Sequence, residues 1–574
     1  MFLKVIWSLC SILTLISCAS SIKLEPQQAT EFDKGVIAAD EKTVVPEESQ
    51  LNAGLVFNIL GGELAGQRGE MGSATSLYVA AAKQSKSPEV AQRAVQIALF
   101  NKDVVSARSV IELALEKPDS TAQLHHIALL VYLHTGEVES SLHQAQEILS
   151  KSNDKRSQAF LTLAEIITRS AKKEVAYQII NSLVAKYQND AGAYLARSQV
   201  AFRFVDLELA LSDAKKAVEL DNDWSIAYAQ WAKVLEKKGD VNGSLEVLES
   251  ASIKFSDRAI INSYAKLLAK DGQYKKSEQQ FKRLLEADVT DHEARFSLGL
   301  VYLKNGEVAS AKRAFTALVN TESFASRSAY YLGQISYQQK ELEQALVWFF
   351  SVSEGPAYID AQVNAARIKN ELGKLGDARQ ILKALRKLFP AHASRLYVLE
   401  SQFLMAAQKP AELLTLMNGA IEKKPDDLTL RYTRSIASAE LDLLVQAEKD
   451  LKYILEKKPD NGNALNALGY LLASKTYRFK EARILLEKAI ALMPKDPAIM
   501  DSLGWLNYRS GRYEEALVLL KKAYMAEPEA EIAYHLGETL WVLGRQNEAK
   551  KIWYDAAKRS PQNKYLKEVL QRLK

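Results

Sequence analysis

Cysteine is nearly absent from this chain: two in 574 residues, Cys10 and Cys18, both near the N-terminus. That excludes a disulfide-stapled body and any cysteine-based metal or nucleophile chemistry beyond the first twenty residues. Histidine is also scarce, at seven. The one adjacent pair, His125-His126, cannot chelate a single metal, because neighbours on a helix point about 100° apart. A structural or surface role is expected for it. No His-Glu-x-x-His, Gly-x-Ser-x-Gly, Walker A or Gly-x-Gly-x-x-Gly motif occurs, so neither a catalytic residue, a metal nor a cofactor is expected. Long runs of one charge sign are missing too. With 75 Lys and Arg against 70 Asp and Glu, mixed along the chain, the net charge of +5 is not concentrated as a nucleic-acid binder requires. A composition 48% hydrophobic and 25% charged is too polar for a polytopic membrane protein.

What is present begins with the N-terminus. Lys4 precedes a continuous apolar stretch from Val5 to Ile16; at about 12 residues it suits an export signal and is too short to span a bilayer. Leu15-Ile16-Ser17-Cys18 resembles the lipobox of bacterial lipoproteins. The resemblance implies that residues 1–17 are a signal peptide cleaved before Cys18, and that the Cys18 thiol carries a diacylglyceryl group. Ordinary secretion is the rival reading, since Ser17-Cys18-Ala19 also fits a small-x-small cleavage site. Lipidation would leave neither free thiol nor disulfide, because Cys10 leaves with the signal. Two or three acyl chains, at ~0.8 kcal/mol per buried CH₂, hold a protein on a membrane essentially permanently. Ala19 stands where inner-membrane lipoproteins of enterobacteria carry Asp, which by the same resemblance favours the outer membrane. Residues 18–52 are polar and aperiodic and read as a lipid-anchored flexible tether.

The rest is periodic. Pro459, Pro494, Pro528 and Pro561 are separated by 35, 34 and 33 residues, and Ala489, Ala523 and Ala556 follow suit. Leu468-Gly469, Leu503-Gly504 and Leu536-Gly537 mark a first helix in each block; Ala482, Ala516 and Ala549 open a second. Leu486, Leu520 and Trp553 lie four residues after those alanines, on the same helix face. Upstream, Ala265, Gly299 and Gly333, then Ser277, Ala311 and Ala345, then Phe281, Phe315 and Phe349 keep the spacing of 34. This is the tetratricopeptide pattern. It predicts an all-α fold, a right-handed superhelical solenoid of about 15 TPR-like helix pairs. The marks are divergent over 53–190 and regular over 191–574, where a C-terminal capping helix carries Lys564, Lys567, Arg572 and Lys574; a break is expected near Tyr187 to Asp190.

Three stretches in the last blocks, Ala464 to Tyr470, Pro497 to Arg509 and Tyr534 to Trp541, together with Ala91-Gln-Arg-Ala94, resemble the lipid-anchored tetratricopeptide proteins of proteobacteria. The resemblance implies a non-enzymatic scaffold, held at the outer membrane by its N-terminal lipid and facing the periplasm. Its partners would be envelope proteins or peptides, with no nucleic acid and no metal. In such arrays the first helix of each pair lines the concave groove, which by resemblance makes Asn466, Tyr470, Asp501, Trp505, Tyr508, Tyr534, Glu538 and Trp541 the partner-groove candidates. Aromatics at helical spacing also pack between repeats, and aromatic stripes stack on sugars, so a part in polysaccharide export or modification is the alternative. Lys423-Lys424 and Lys457-Lys458 precede prolines and read as helix ends, and Asp426-Asp427 as an N-cap.

Overall fold

The computed structural model describes residues 53–85, 87–116, 122–152 and 155–573. The signal peptide, Cys18 and the tether lie outside the described residues, as does Lys574. Among the described residues there are thirty-one α-helices and no strand: fifteen helix pairs, then one last helix. None of these helices is long and apolar enough to cross a membrane. The chain divides into two compact units, residues 53–152 with Ser170–Val175, and 155–169 with 176–573. The Tyr187 to Asp190 stretch lies inside the second unit, where Tyr187 meets Phe160 edge to face at 5.5 Å.

Unit one holds α1 (Ala53–Gln67) to α6 (Val138–Ser150). Its core runs from Ala74 and Tyr78 through Ala94, Ala98 and Ile111 to Ala128 and Val131. His125 is buried, with Nδ1 2.7 Å from Gln144 Oε1, and His126 Nδ1 is 2.7 Å from the carbonyl of Ala122. The pair thus acts as helix packing, and burial holds His126 below the usual histidine range.

Each pair is built by one fit of small against large. A Cβ added to Gly299 would lie 2.7 Å from Phe315, to Gly333 2.8 Å from Phe349, and to Gly504 2.7 Å from Leu520. At Gly537 it would lie 2.0 Å from the indole nitrogen of Trp553, whose ring is fully buried. In these four pairs the partner sits sixteen residues on, as does Tyr78 against Gly62 in unit one; Leu486 fills the same place against Gly469. The glycine brings two helix backbones close enough to bury a side chain worth about 1.5–3 kcal/mol. Elsewhere a serine does similar work: Ser277 Oγ donates to the carbonyl of Ala265 at 2.7 Å, and Ser198 Oγ to that of Ala210 at 2.7 Å.

The turn between the two helices repeats as well. In most pairs it places one residue in the left-handed region, glycine in eight of them (Gly239, Gly272, Gly306, Gly373, Gly511 and Gly544 among these) and a residue with a side chain in five: Lys102, Val205 at φ 64°, Lys340 at φ 63°, Gln408 and Asp442. Pairs are also tied by charge. Arg197 on α9 (Ala191–Arg203) donates to Asp213 at 2.6 Å and to Asn181 at 3.2 Å, linking three consecutive helices. Arg434 repeats this with Asp450 at 2.7 Å and Asn418 at 2.9 Å. Asp427 caps its helix by accepting from the backbone N–H groups of Thr429 and Leu430.

Three outcomes follow for urea unfolding followed by helical circular dichroism. Gly537→Ala is expected to cost about 1–3 kcal/mol through overpacking, whereas Gly419→Ala, whose Cβ meets nothing within 4 Å, is expected to gain about 0.5–1 kcal/mol. Val205→Gly is expected to stabilise by about 1 kcal/mol, since a β-branched residue at positive φ is strained.

Candidate functional site

Within unit two, first helices of successive pairs touch one another, as α9 touches α11 (Ser225–Lys238) and α11 touches α13 (Arg258–Lys270), so first helices form the inner side of the curve. The candidates from the sequence lie on three of them: α25 (Gly462–Lys475), α27 (Pro497–Arg509) and α29 (Ala530–Val542).

Five of the eight are brought together around a residue the sequence reading did not single out, His535. Its Nδ1 donates to Asp501 at 2.9 Å, its Nε2 lies 3.5 Å from the Tyr470 hydroxyl, and its ring stacks on Trp505 at 4.0 Å and 21°. The other face of Trp505 is taken by Tyr508, stacked at 4.7 Å and 10°. Tyr534 sits 5.9 Å from Trp505 and stacks at 5.2 Å on Tyr565 of the last helix, α31 (Lys564–Arg572). Tyr470 donates to Glu531 at 2.6 Å. Burial first, then the Glu531 carboxylate, pushes the Tyr470 phenol well above the ordinary tyrosine range; burial, then Glu538, pushes Tyr534 up to about 12.

The remaining three stand apart. Glu538 is buried and paired with Arg572 of α31. Trp541 packs on Trp553 at 5.7 Å with the Lys550 ammonium 5.9 Å above it. Asn466 is half-buried, its side-chain oxygen without a hydrogen-bond partner. Links cross the inner surface between pairs that are not neighbours: Tyr470 to Glu531 and His535, and Lys564 of α31 to Glu440 at 2.9 Å, on α23 (Leu428–Glu440). At this end the inner surface is therefore filled by its own side chains. Arrangement of Asp501, His535, Tyr470 and Glu531 as one hydrogen-bonded chain, capped by an indole, serves packing of three pairs on each other.

The open part of the inner surface lies elsewhere. Two adjoining clefts of about 650 and 440 Å³ run along α7 (Arg156–Ser170), α9, α11 and α13, sharing Gln199, Gln230 and Lys233. Phe202 forms an apolar patch under the Lys233 ammonium, 4.9 Å from its ring. Lys266 and Lys270 are paired with Glu293 and Glu236. Among the described residues no ion pair engages Arg203 or Lys237, both exposed. The signal for this groove was available in the sequence as Arg203, Lys237, Lys270 and Lys304 at spacings of 34, 33 and 34, each in the last turn of a first helix. Helix-end cations are so common that the series reads first as dipole compensation. Among the described residues no group of three or more His, Cys, Asp or Glu is placed to hold a metal ion.

Replacing His535 by Ala is expected to cost about 2–4 kcal/mol, read by tryptophan fluorescence during urea unfolding, because Asp501 is left buried without its donor. For Tyr534 the folded phenol holds its proton above the unfolded value of about 10, so its contribution is complete below that pH and lost as pH rises toward 12. Tyrosinate absorbance of wild type minus Tyr534→Phe is expected to show this late titration.

Comparison with known proteins agrees with the architecture. The tetratricopeptide-repeat family model matches residues 265–311, 296–357 and 502–564. Among solved structures the chain is similar to yeast Tom70 (18% identity, 73% of this chain and 95% of that one, TM-score 0.34). It is also similar to a thermophilic TPR protein of Thermus thermophilus (22% identity, 30% and 95%, TM-score 0.29). The TPR repeat-containing protein PA4667 of Pseudomonas aeruginosa is 30% identical over 566 residues, covering 92% of this chain and 89% of that protein. With the repeats, their spacing and a relative aligned along nearly its whole length, the chain belongs to the TPR repeat-containing protein family.

Proposed function

We propose that this protein is a non-enzymatic scaffold, tethered to the periplasmic face of the outer membrane through lipid on Cys18, that binds segments of envelope proteins on its inner surface. The observation that carries the binding reading is the open groove along α9, α11 and α13, where Gln199, Gln230 and Lys233 offer hydrogen-bonding groups beside apolar Phe202. An extended or helical segment laid there meets side chains repeating at the pitch of the array, so each pair adds a small, equivalent contact. Arg203 and Lys237, which no ion pair engages among the described residues, bias the groove toward segments carrying carboxylates. The lipobox resemblance supports the tether, and Ala19 supports the outer membrane. Glycan binding through the C-terminal aromatics is disfavoured, because both faces of Trp505 are already occupied by His535 and Tyr508.

The test uses the full chain in its native envelope. A photo-crosslinking residue at Lys233 is expected to capture envelope proteins, and one at exposed Val347, on a second helix, is expected to capture none. Arg203→Glu/Lys237→Glu is expected to reduce the Lys233 capture tenfold or more; equal capture in the variant would overturn the groove assignment. Cys18→Ala is expected to abolish labelling by a fatty-acid analogue and release the protein from membranes. Retention without labelling would sink the lipid anchor.

A further inference from the structure

A cleft larger than either of the two inner ones lies off the inner surface of unit two. It opens between two second helices, α20 (Leu375–Leu388) and α22 (Pro410–Lys423), with α21 (Ala393–Ala406) as its floor, and encloses about 1110 Å³. Its width has a local cause. Gly376 and Gly419 line the two rims, and a Cβ at either would meet nothing within 4 Å. The link from α20 to α21 runs through a short 3₁₀ turn, Pro390–His392, rather than a direct turn.

The floor is rigid and partly apolar. Glu400, buried at 2% exposure, accepts from Arg379 at 2.8 Å and from Arg386 at 2.6 Å, and the Arg386 guanidinium lies 4.2 Å over the Tyr397 ring. A second carboxylate, Glu412, holds the other side of Arg379 at 2.5 Å. The two arginines are thereby neutralised and fixed. The rim lysines are not. Lys383 and Lys387 on α20 and Lys423 on α22 are exposed, and among the described residues no ion pair engages them. Lys424 is held only by neutral oxygens, the carbonyl of Pro390 and the hydroxyl of Ser394, both at 3.4 Å. Against these four cations the rim sets one carboxylate, Glu422. Lys387 and Lys423 also sit in the last turns of their helices and serve the dipoles there, but Lys383 lies more than a turn from its helix end.

Cationic rims beside apolar Ala384 on α20, Leu416 and Ala420 on α22, and Tyr397 on the floor call for a ligand that is apolar on one face and acidic on its flanks. Lys383 and Lys387 stand one helical turn apart, the interval at which carboxylates at i and i+4 of a facing helix recur. The volume exceeds what a small anion fills and lies just above the range of small-molecule pockets, roughly 300–1,000 Å³. We propose that this outer cleft docks an acidic amphipathic helix of a partner protein, apolar face inward and glutamates on the lysine rims. It is a second binding surface, separate from the inner groove and independent of what that groove holds. A scaffold with one partner inside and another on the second-helix face would hold the two side by side.

The test measures fluorescence anisotropy of labelled eighteen-residue peptides against the full chain. One peptide places leucine and alanine on one face and glutamate on both flanks; the other has the same composition with the faces scrambled. The amphipathic peptide is expected to bind, to gain helical circular dichroism on binding, and to lose affinity tenfold or more in Lys383→Glu/Lys387→Glu/Lys423→Glu. These lysines are exposed and in no ion pair among the described residues, so the variant is expected to keep the wild-type spectrum and unfolding midpoint. Arg203→Glu/Lys237→Glu, on the inner surface, is expected to leave this binding unchanged, which separates the outer cleft from the groove. The proposal is overturned if neither peptide binds, if both bind alike, or if the cleft variant binds as well as wild type. It is equally overturned if vesicles containing anionic phospholipid bind through these lysines while the peptide does not.

Discussion

Everything in this protein rests on the approach of two helix backbones at one small residue. Where Gly299, Gly333, Gly504 or Gly537 stands on a first helix, a Phe, Leu or Trp of the second helix fills the space a Cβ would take. That contact sets the distance and crossing of each pair, and each pair then presents the same surfaces to the next. Since interiors are packed to the density of organic crystals, one such contact has little room for variation. The contact recurs at Gly62, Gly299, Gly333, Gly469, Gly504 and Gly537, and the array ends in a helix whose outward side is polar.

Variation enters where that contact leaves freedom. Along the inner surface of unit two, the first helices α7 to α13 leave clefts with Gln199, Gln230 and Lys233 facing them. Toward the C-terminus the same register carries Trp505, Tyr508, Tyr534 and His535, and the surface closes on itself by ring stacking and by hydrogen bonds that skip a pair. One architecture thus offers an open binding surface in one stretch and a sealed, rigid one in another. On the second-helix side, two glycines and a 3₁₀ turn open a cationic cleft that the repeat pattern alone does not call for.

Much of this was legible in the residues. The spacing of 34 with Gly or Ala at fixed offsets points to tetratricopeptide pairs, and the expected number, about fifteen, agrees with the fifteen pairs seen among the described residues. The divergent early blocks obey the same rule, as Gly62 beneath Tyr78 shows, although their consensus is weak. The candidate groove residues lie on first helices, but their surroundings were not readable in the sequence. Tyr470 and Glu531 are 61 residues apart, Lys564 and Glu440 124, and no local periodicity encodes such contacts. His535 was passed over because a lone histidine has no spacing to mark it, and its role depends on Asp501 and Trp505 one pair away.

By itself, then, the sequence determined the helix pairs, their number, their order and which residues join each pair, because these depend on side chains within one or two periods of each other. It also carries the features on which the lipid-anchor reading stands, in Leu15 to Cys18. Tertiary structure alone decided which inner faces are open and which are filled. Small rotations between pairs add up along a solenoid, and only their sum sets whether side chains from pairs that are not neighbours meet each other or remain exposed to a ligand.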